Sequence, residues 1–354
     1  MSRPLDVRPD LQGIAAYAAP QADAPVRLNT NECPWPPPES VLREIGARLR
    51  SSALNRYPDR DAIRLRELLG ERAGWSAGGV WVANGSNEIL QTLLLAFGGP
   101  ERSVLLFEPT YAMHGHIAQV TGTRVIAKDV PEPWALDANE VAWTVSFEPP
   151  SITFLCSPNN PTGGACSNEV VEAALASGPG LVVVDEAYGE FSSQTALPLL
   201  AAEERLVIVR SFSKSWRLAG ARVGYMLAHP WLVEAIQVAR LPYHLSTPTQ
   251  VVAEVAVEHA TEVLSTVAEI VAERDRLAKE LQRVPGVEVF PSEANFLLFR
   301  TEWPGGDLWR AMAGRGVLVR DFSAMIPGAL RVTVGTSDQN ATFVETLREV
   351  LSDG

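Results

Sequence analysis

The chain has 354 residues, of which 46% are hydrophobic and 20% are charged, a balance typical of a globular protein with a large buried core. This composition excludes a collagen, a coiled coil and an intrinsically disordered chain. Acidic residues outnumber basic ones by 42 to 30, and the resulting net charge of −12 argues against binding to nucleic acid or to an anionic membrane surface.

Three cysteines, Cys33, Cys156 and Cys166, do not form the even and regularly spaced set of a disulfide framework. They favour a reducing compartment. Residues 1–9 lack the apolar stretch of a secretory signal. No run reaches the roughly 20 apolar residues that a membrane span needs. The sequence therefore predicts a cytoplasmic protein that does not enter a membrane.

The first forty residues predict an extended arm, because prolines at positions 34 and 36–38 fit neither a helix interior nor a central strand. Helical patterns follow at 41–50, 62–73, 88–97 and 111–120. Short apolar runs without alternation favour the strands of a parallel sheet that is covered on both faces. These predicted strands are residues 80–83, 103–107, 152–156, 181–184, 206–209 and 223–228.

The pattern changes after about residue 230, where helical patterns at 231–240 and 248–284 precede a set of short strands. The predicted strands are 287–290, 296–299, 317–319 and 330–334, with helices near 307–313 and from 338. This order predicts an α/β fold with a doubly wound sheet and a smaller α+β domain. We expect an arm at 1–40 packed on the small domain or a partner subunit, a large domain at 41–240 and a small domain at 241–354, joined by a long helix.

Polar segments follow three of the predicted strands. Lys214 lies between two serines after one strand, and Arg222 follows eight residues later. Asp185 ends a second strand, and Asn160 lies in the turn after a third. Each has an ordinary alternative: a lone lysine is usually solvated, and an aspartate after a strand can cap a helix. Open α/β sheets bind ligands at the carboxyl ends of their strands, so the set together indicates a binding site.

These segments, with Asn84-Gly85-Ser86-Asn87-Glu88 and Pro109-Thr110-Tyr111, resemble the fold-type I pyridoxal-phosphate aminotransferases. The resemblance implies a mostly parallel seven-stranded sheet with helices on both faces, a smaller α+β domain and pyridoxal 5'-phosphate as cofactor. From about residue 27 to the C-terminus, the chain is similar to the histidinol-phosphate aminotransferases of actinobacteria. The further motifs are Leu28-Asn29-Thr30-Asn31-Glu32, Arg56-Tyr57-Pro58-Asp59, Leu241-Pro242-Tyr243-His244, Glu293-Ala294-Asn295-Phe296 and Leu330-Arg331-Val332-Thr333-Val334-Gly335.

The resemblance implies a role for each cofactor-binding residue. Lys214 would carry the cofactor and move the proton, and Asp185 would keep the ring nitrogen protonated by raising its pKa. Tyr188 and Asn160 would donate to the ring's 3-oxygen, and Tyr111 would lie against the ring. Tyr57 would also contact the cofactor. The phosphate would be held by a helix N-terminus and polar side chains, namely Gly85, Ser86, Asn87, Ser211, Ser213 and Arg222.

The resemblance also implies a substrate site for L-histidinol phosphate and for glutamate or 2-oxoglutarate. Arg331 matches the family's anion-binding arginine, and Arg320 matches a second arginine for the substrate phosphate; surface ion pairs are the alternative for both. Tyr57 would reach the site from a neighbouring subunit, which implies a homodimer with shared active sites. The histidines lack metal-ligand spacing, and no metal is expected. The implied substrate-binding residues are Tyr17, Asn31, Tyr57, Asn160, Arg320 and Arg331.

The implied function is transfer of the amino group of L-histidinol phosphate to 2-oxoglutarate in histidine biosynthesis, giving imidazole-acetol phosphate and glutamate. An aromatic amino acid aminotransferase and a threonine-phosphate decarboxylase remain alternatives. A binding module without catalysis is disfavoured, because Lys214, Asp185 and Arg222 are all present. The chain departs from the family at Cys33, which replaces an amide, and at Trp216-Arg217. The departure at Trp216 and Arg217 leaves open a reshaped pocket or subunit contact.

Overall fold

The computed structural model describes residues 7–15 and 24–353. Within these ranges the strands are β1 (Val26–Arg27), β2 (Val80–Ala83), β3 (Ser103–Glu108), β4 (Arg124–Asp129), β5 (Ile152–Cys156), β6 (Leu181–Asp185), β7 (Leu206–Ser211), β8 (Gly224–Ala228), β9 (Val287–Val289), β10 (Phe296–Thr301), β11 (Val317–Leu318), β12 (Arg320–Asp321) and β13 (Ala329–Thr333). The α-helices of the same ranges are α1 (Glu39–Ser51), α2 (Ile63–Ala73), α3 (Ser86–Phe97), α4 (Ala112–Val120), α5 (Ala138–Phe147), α6 (Asn168–Ser177), α7 (Pro230–Ala235), α8 (Thr247–Glu258), α9 (Ala260–Val263), α10 (Val267–Leu281), α11 (Gly305–Gly314) and α12 (Ser337–Ser352).

The largest sheet has seven strands in the order β2-β8-β7-β6-β5-β3-β4. Neighbours from β7 to β4 pair in parallel, whereas β8 runs antiparallel to both of its neighbours. Alternate residues of a strand face opposite sides. Accordingly, Val182 and Val184 belong to one apolar cluster and Val183 to another. Burial on both faces explains the uninterrupted apolar strands, and the predicted α/β class with a mostly parallel sheet is confirmed.

A second, antiparallel sheet has four strands in the order β12-β13-β10-β9. The arm lies beside it, because β1 pairs in parallel with β11 and the Leu28 side chain packs into the apolar core of this sheet. The carbonyl of Leu28 also accepts a hydrogen bond from Thr333 N–H at 2.9 Å. The domain boundaries at 41 and 241 stay predictions, and Leu245 and Ala253 pack in the core of the seven-stranded sheet.

The single helix predicted over residues 248–284 is wrong. The segment forms α8, α9 and α10, with a 3₁₀ turn at Leu264–Thr266 between the last two. Helix α8 packs in the core of the seven-stranded sheet, whereas Leu277 and Leu281 of α10 pack against the four-stranded sheet. One straight helix cannot serve both cores, so the chain turns between them. The helix predicted at 231–240 is likewise shorter, since α7 ends at Ala235 and passes into a 3₁₀ turn at Ile236–Val238.

The sequence prediction missed β4, α5 and α6, as well as the two-residue strands β1 and β12. Strand β4 lies at the edge of the sheet, and most of its side chains are partly or fully exposed. An edge strand needs no apolar run, so the signal used for the central strands does not apply to it. Among the described helices, none has both the length and the apolar composition needed to cross a bilayer.

Candidate active site

A cavity of about 420 Å³ lies where strands β5, β6 and β7 end. The last residues of these strands, Cys156, Asp185 and Ser211, all line it, since the carboxyl ends of parallel strands meet at one edge of the sheet. Arm residues 29–32 and β12–β13 side chains line it as well. The cavity is therefore shared by both sheets and the arm.

Lys214 lies in the loop after β7 and lines this cavity. Its Nζ atom donates a hydrogen bond to the Thr30 carbonyl at 2.8 Å. Burial and the nearby guanidinium groups of Arg331 and Arg222 lower the pKa of Lys214 to about 7, although Glu32 acts in the opposite direction. A lysine with such a pKa is neutral in a sizeable fraction of molecules near neutral pH, as a nucleophile or proton carrier must be.

Asp185, at the end of β6, is buried and held at both carboxylate oxygens. Its Oδ2 lies 3.0 Å from Nε2 of His114, and its Oδ1 accepts a hydrogen bond from Ala187 N–H at 3.1 Å. His114 lies on α4, stacked on Phe154 with ring centroids 4.8 Å apart. His114 could not be assigned a role from the sequence, because nothing in the local pattern links α4 to the end of β6.

One end of the cavity is formed by the first turn of α3 and by Arg222, whose backbone adopts a left-handed conformation. Gly85 has φ +82°, and α3 begins at Ser86 directly after it. The positive φ favours glycine at this position, and a Cβ atom there would also lie 2.6 Å from Nη2 of Arg222, which would have to shift. Arg222 donates to Ser213 Oγ at 3.1 Å, and Ser213 N–H donates to Ser211 Oγ at 3.1 Å. Free helix N–H groups, hydroxyls and a guanidinium suit a bound phosphate.

Polar side chains from the arm and from both sheets meet at Tyr188. Its hydroxyl accepts hydrogen bonds from Asn31 Nδ2 at 2.9 Å and from Asn160 Nδ2 at 3.5 Å. Arg331 donates to Asn160 Oδ1, and to the carbonyl of Asn29 at 2.9 Å. Burial raises the pKa of Tyr188 to about 12, so the phenol stays protonated and can donate to an oxygen of a bound molecule.

Most of the predicted site residues therefore lie in one cavity, but the described residues Gly85 and Tyr57 do not line it. Gly85 supports the turn behind it. Tyr57 is 80% exposed and stacks on Tyr243, with ring centroids 4.5 Å apart. Tyr17 lies outside the described residues. The predicted residues that line the cavity are Asn31, Ser86, Asn87, Tyr111, Asn160, Asp185, Tyr188, Ser211, Ser213, Lys214, Arg222, Arg320 and Arg331.

Several residues that line the cavity were not assigned to it from the sequence. Glu32 and Thr110 lie inside motifs that carry the family resemblance, so these motifs could have predicted both residues as part of the site. Phe322 carries no such signal, because it enters the cavity only through the pairing of β12 with β13.

The departure at Trp216 lies in the core, outside the lining of the cavity. Trp216 is fully buried in the core of the seven-stranded sheet, against Phe212 at 4.7 Å, and Nε1 lies 3.3 Å from Glu190. Arg217 turns outward and donates to the carbonyl of Pro36 at 3.2 Å. Neither side chain lines the cavity, so neither changes its shape by direct contact.

Pyridoxal 5'-phosphate fits the residues of this cavity. The cradle at Gly85 and Arg222 suits its phosphate, and the buried Asp185 suits its ring nitrogen. Tyr188 and Asn160 suit its 3-oxygen, and Lys214, with a pKa of about 7, suits its aldehyde carbon. The donor set thus contains a partner for each polar group of the cofactor.

The mostly parallel seven-stranded sheet, the adjoining antiparallel sheet and the lysine at the strand ends define a fold-type I transferase. The profile of the family described as aminotransferase class I and II matches residues 24–347. The chain belongs to this family.

Curated relatives cover almost the whole chain. The chain is 46% identical to the histidinol-phosphate aminotransferase of Frankia casuarinae, over 98% of its own length and 91% of that protein. It is 44% identical to the protein of the same name from Corynebacterium diphtheriae, over 98% and 96% of the two chains. Among solved structures, histidinol-phosphate aminotransferase from Sinorhizobium meliloti in complex with pyridoxal-5'-phosphate has a TM-score of 0.87 at 22% identity, with 98% of each chain covered. At that identity the likeness supports the fold.

Proposed function

We propose that the protein transfers the amino group of L-histidinol phosphate to 2-oxoglutarate, giving imidazole-acetol phosphate and glutamate, as a step of histidine biosynthesis. The observation that carries this proposal is that three guanidinium groups, those of Arg222, Arg320 and Arg331, line the same cavity as Lys214. One phosphate, that of a cofactor, does not require three. The set suits two anionic groups, and the curated relatives at 44–46% identity bear the corresponding name.

Pyridoxal 5'-phosphate would be held by Lys214, by Asp185 at the ring nitrogen and by the cradle of Ser86, Ser213 and Arg222. When bound, it supplies an electron sink for the carbon that bears the amino group. Its reactivity depends on a protonated ring nitrogen, and the Asp185 carboxylate stabilises that proton because opposite charges favour the charged form. The His114 contact, at 3.0 Å, keeps this carboxylate from turning away.

Lys214 is the proton carrier in this proposal. Its neutral Nζ would accept the proton from the amine-bearing carbon of the substrate and would deliver it to the carbon of the cofactor that bore the aldehyde oxygen. The pKa of about 7 suits both directions of this transfer, because the neutral and the charged forms are then nearly equal in free energy. Tyr188, whose hydroxyl stays protonated and accepts a hydrogen bond from Asn31 Nδ2 at 2.9 Å, would donate to the 3-oxygen of the cofactor.

Arg331 and Arg320 are proposed to hold the anionic end of each substrate. The Arg331 guanidinium lies 5.1 Å from the ring centroids of both Phe296 and Phe322, and its Nη2 donates to the Asn29 carbonyl. Such contacts limit the number of orientations that the planar group can take. A rigid guanidinium fork matches both the phosphate of histidinol phosphate and a carboxylate of glutamate.

We further propose a cytoplasmic homodimer with shared active sites. Residues 54–61 and 238–243 lie side by side, joined by the Tyr57–Tyr243 stack and by the Arg240–Asp61 ion pair at 2.6 Å. This surface, which we call the tyrosine face, exposes several large apolar side chains. Such a patch is typical of a surface that another subunit covers. Its exposed apolar residues are Leu54, Tyr57, Val238, Leu241 and Tyr243.

The test is an absorbance titration of the cofactor-loaded protein with L-histidinol phosphate, and in parallel with phenylalanine and phosphothreonine. We expect the band of the lysine-bound cofactor to disappear at low histidinol phosphate and to return when 2-oxoglutarate is added. A response to phenylalanine alone would favour an aromatic aminotransferase. Release of carbon dioxide from phosphothreonine would favour a decarboxylase. A purified protein without any cofactor band would contradict the catalytic proposal itself.

A further inference from the structure

The described residues that line the cavity include two acidic side chains, Asp185 and Glu32. Asp185 is buried and already engaged by His114 and by the Ala187 N–H group. Glu32 differs, because it is exposed and its Oε2 accepts one hydrogen bond, from Thr30 Oγ1 at 3.0 Å. An ionised carboxylate offers about four acceptor positions. Glu32 therefore has acceptor capacity left for a molecule in the cavity.

The backbone that carries Glu32 is held in place by buried contacts. Asn31 is 1% exposed and has φ +56°. Its N–H donates to Thr333 Oγ1 at 3.0 Å, and its carbonyl accepts from Asn295 Nδ2 at 3.1 Å. On the preceding residue, the Thr30 carbonyl accepts from Lys214 Nζ at 2.8 Å. These bonds set the position of the next residue, Glu32, next to the lysine and at the edge of the cavity.

The charged groups that line the cavity indicate which part of a substrate Glu32 contacts. The other described charged groups that line the cavity are Asp185 and four cations, Lys214, Arg222, Arg320 and Arg331. The cations account for the anionic groups of the cofactor and of the substrate. Histidinol phosphate, the amino donor of the proposed function on which this inference rests, has an imidazole at its other end. An imidazole with a pKa of about 6.5 presents at least one N–H donor in either protonation state.

We propose that Glu32 determines specificity by accepting a hydrogen bond from the imidazole N–H of histidinol phosphate. The interaction favours an amino donor with a cationic or N–H-bearing ring over one with an apolar ring. The negative charge of Glu32 also repels a carboxylate at the same position, so glutamate and 2-oxoglutarate are not expected to place a carboxylate next to it.

Glu32 has a competing role that the experiment must separate, because its charge also raises the pKa of Lys214. A change at Glu32 that acted only through Lys214 would alter the reaction with every amino donor equally. The test variants are Glu32→Gln, which keeps the shape and loses the charge, and Glu32→Ala. Glu39→Gln is the matched control, since Glu39 is an exposed acid at the start of α1 that does not line the cavity.

The measurements are the apparent dissociation constant from absorbance titration and the single-turnover rate, for histidinol phosphate and for phenylalanine. For Glu32→Ala we expect histidinol phosphate to bind about 10- to 100-fold more weakly, as for loss of a charge-assisted hydrogen bond. Glu32→Gln should show a smaller loss. Phenylalanine should change less than about 3-fold, and binding of 2-oxoglutarate to the amino form should not weaken. Glu39→Gln should match the wild type in every assay.

Equal losses with histidinol phosphate and phenylalanine would overturn the proposal and would mean that Glu32 acts through the pKa of Lys214. No loss with either amino donor would overturn it as well. Failure of the proposed function itself would look different, because the wild-type protein would then not respond to histidinol phosphate at all.

Discussion

The Nε2 atom of His114 lies 3.0 Å from Oδ2 of Asp185, and both side chains are buried. His114 also stacks on Phe154, and Tyr111 meets its ring edge-on with centroids 5.4 Å apart. The same imidazole therefore touches the residue assigned to the ring nitrogen of the cofactor and the residue assigned to its face. In a buried site, water cannot replace this hydrogen bond if it is removed.

Replacing His114 with Phe should lower the single-turnover rate about 10-fold, because the ring packing is kept and the hydrogen bond to Asp185 is lost. The pH at which the cofactor absorbance changes should shift as well, which a purely structural defect would not cause. Both are read by stopped-flow absorbance. His116→Phe, two residues along α4, is the control. A wild-type rate and absorbance profile in His114→Phe would contradict a positioning role.

Lys214 should make the stability of the cofactor-free protein depend on pH. Its pKa is 10.5 when unperturbed and about 7 in the folded protein. Between these values the unfolded chain holds a proton that the folded chain has released, so the free energy of unfolding rises with pH. Below pH 7 Lys214 is protonated in both the folded and the unfolded state, so its full destabilising effect on the fold is present and no longer changes with pH. The slope is at most about 1.4 kcal/mol per pH unit for one proton.

Urea denaturation at pH 7, 8 and 9 checks this. The Lys214→Met variant should exceed the wild type in stability most at pH 7, and the difference should shrink toward pH 9. Lys279→Met, at an exposed lysine near the end of α10, is the control for replacing a lysine with methionine. A difference that stayed constant over this range would mean that Lys214 is not buried as a neutral amine.

Arg320→Ala should lower kcat/KM for histidinol phosphate about 10- to 100-fold, because a phosphate loses a charge-assisted partner. The loss with phenylalanine should be several-fold smaller, since phenylalanine has no phosphate. Steady-state kinetics with both donors measures the ratio. Arg315→Ala, which removes an exposed arginine paired with Asp353, should leave it unchanged. Equal losses with the two donors would show that Arg320 does not distinguish a phosphate.

Trp216→Phe should reduce stability without changing substrate preference. The indole is fully buried, packs on Phe212 and places Nε1 3.3 Å from Glu190. Loss of this contact and of part of the ring volume should lower the free energy of unfolding by about 1–3 kcal/mol. Trp143→Phe, at an exposed tryptophan of α5, should have little effect. A changed ratio of histidinol phosphate to phenylalanine activity in Trp216→Phe would contradict this account.

Subunit mixing tests the tyrosine face. If Tyr57 acts in the site of the other subunit, Tyr57→Ala and Lys214→Ala chains combined in one dimer leave one site with both residues intact. Co-expression of the two chains with different affinity tags, followed by purification through both tags, should yield a protein with more activity than either parent. Doubly tagged dimers with about half the activity of the Tyr57→Ala parent would place Tyr57 in the site of its own subunit.

The fold was predictable where the chain carries regular signals. The central strands β5, β6 and β7 are buried on both faces, so each is an unbroken apolar run that stands out in the sequence. The edge strand β4 has no such signal, because half of its surroundings is solvent. The turn at Leu264–Thr266 was missed because helical patterns continue on both sides of it, and only the packing of α8 and α9 on one core and of α10 on another requires the chain to turn there.

Most residues of the candidate site could be predicted from the sequence, because they lie in short motifs. These motifs run from Gly85, just before α3, to Arg331 in β13. The sequence by itself determined the residue types, the strand that each follows and the family that their combination resembles. Only the tertiary structure decided that His114 contacts Asp185 and that the Glu32 side chain lines the cavity. It also decided that Trp216 packs in the core and not in the cavity. The physical reason is that local patterns record burial and backbone preference, whereas contacts between distant segments depend on how the two sheets and the arm pack together.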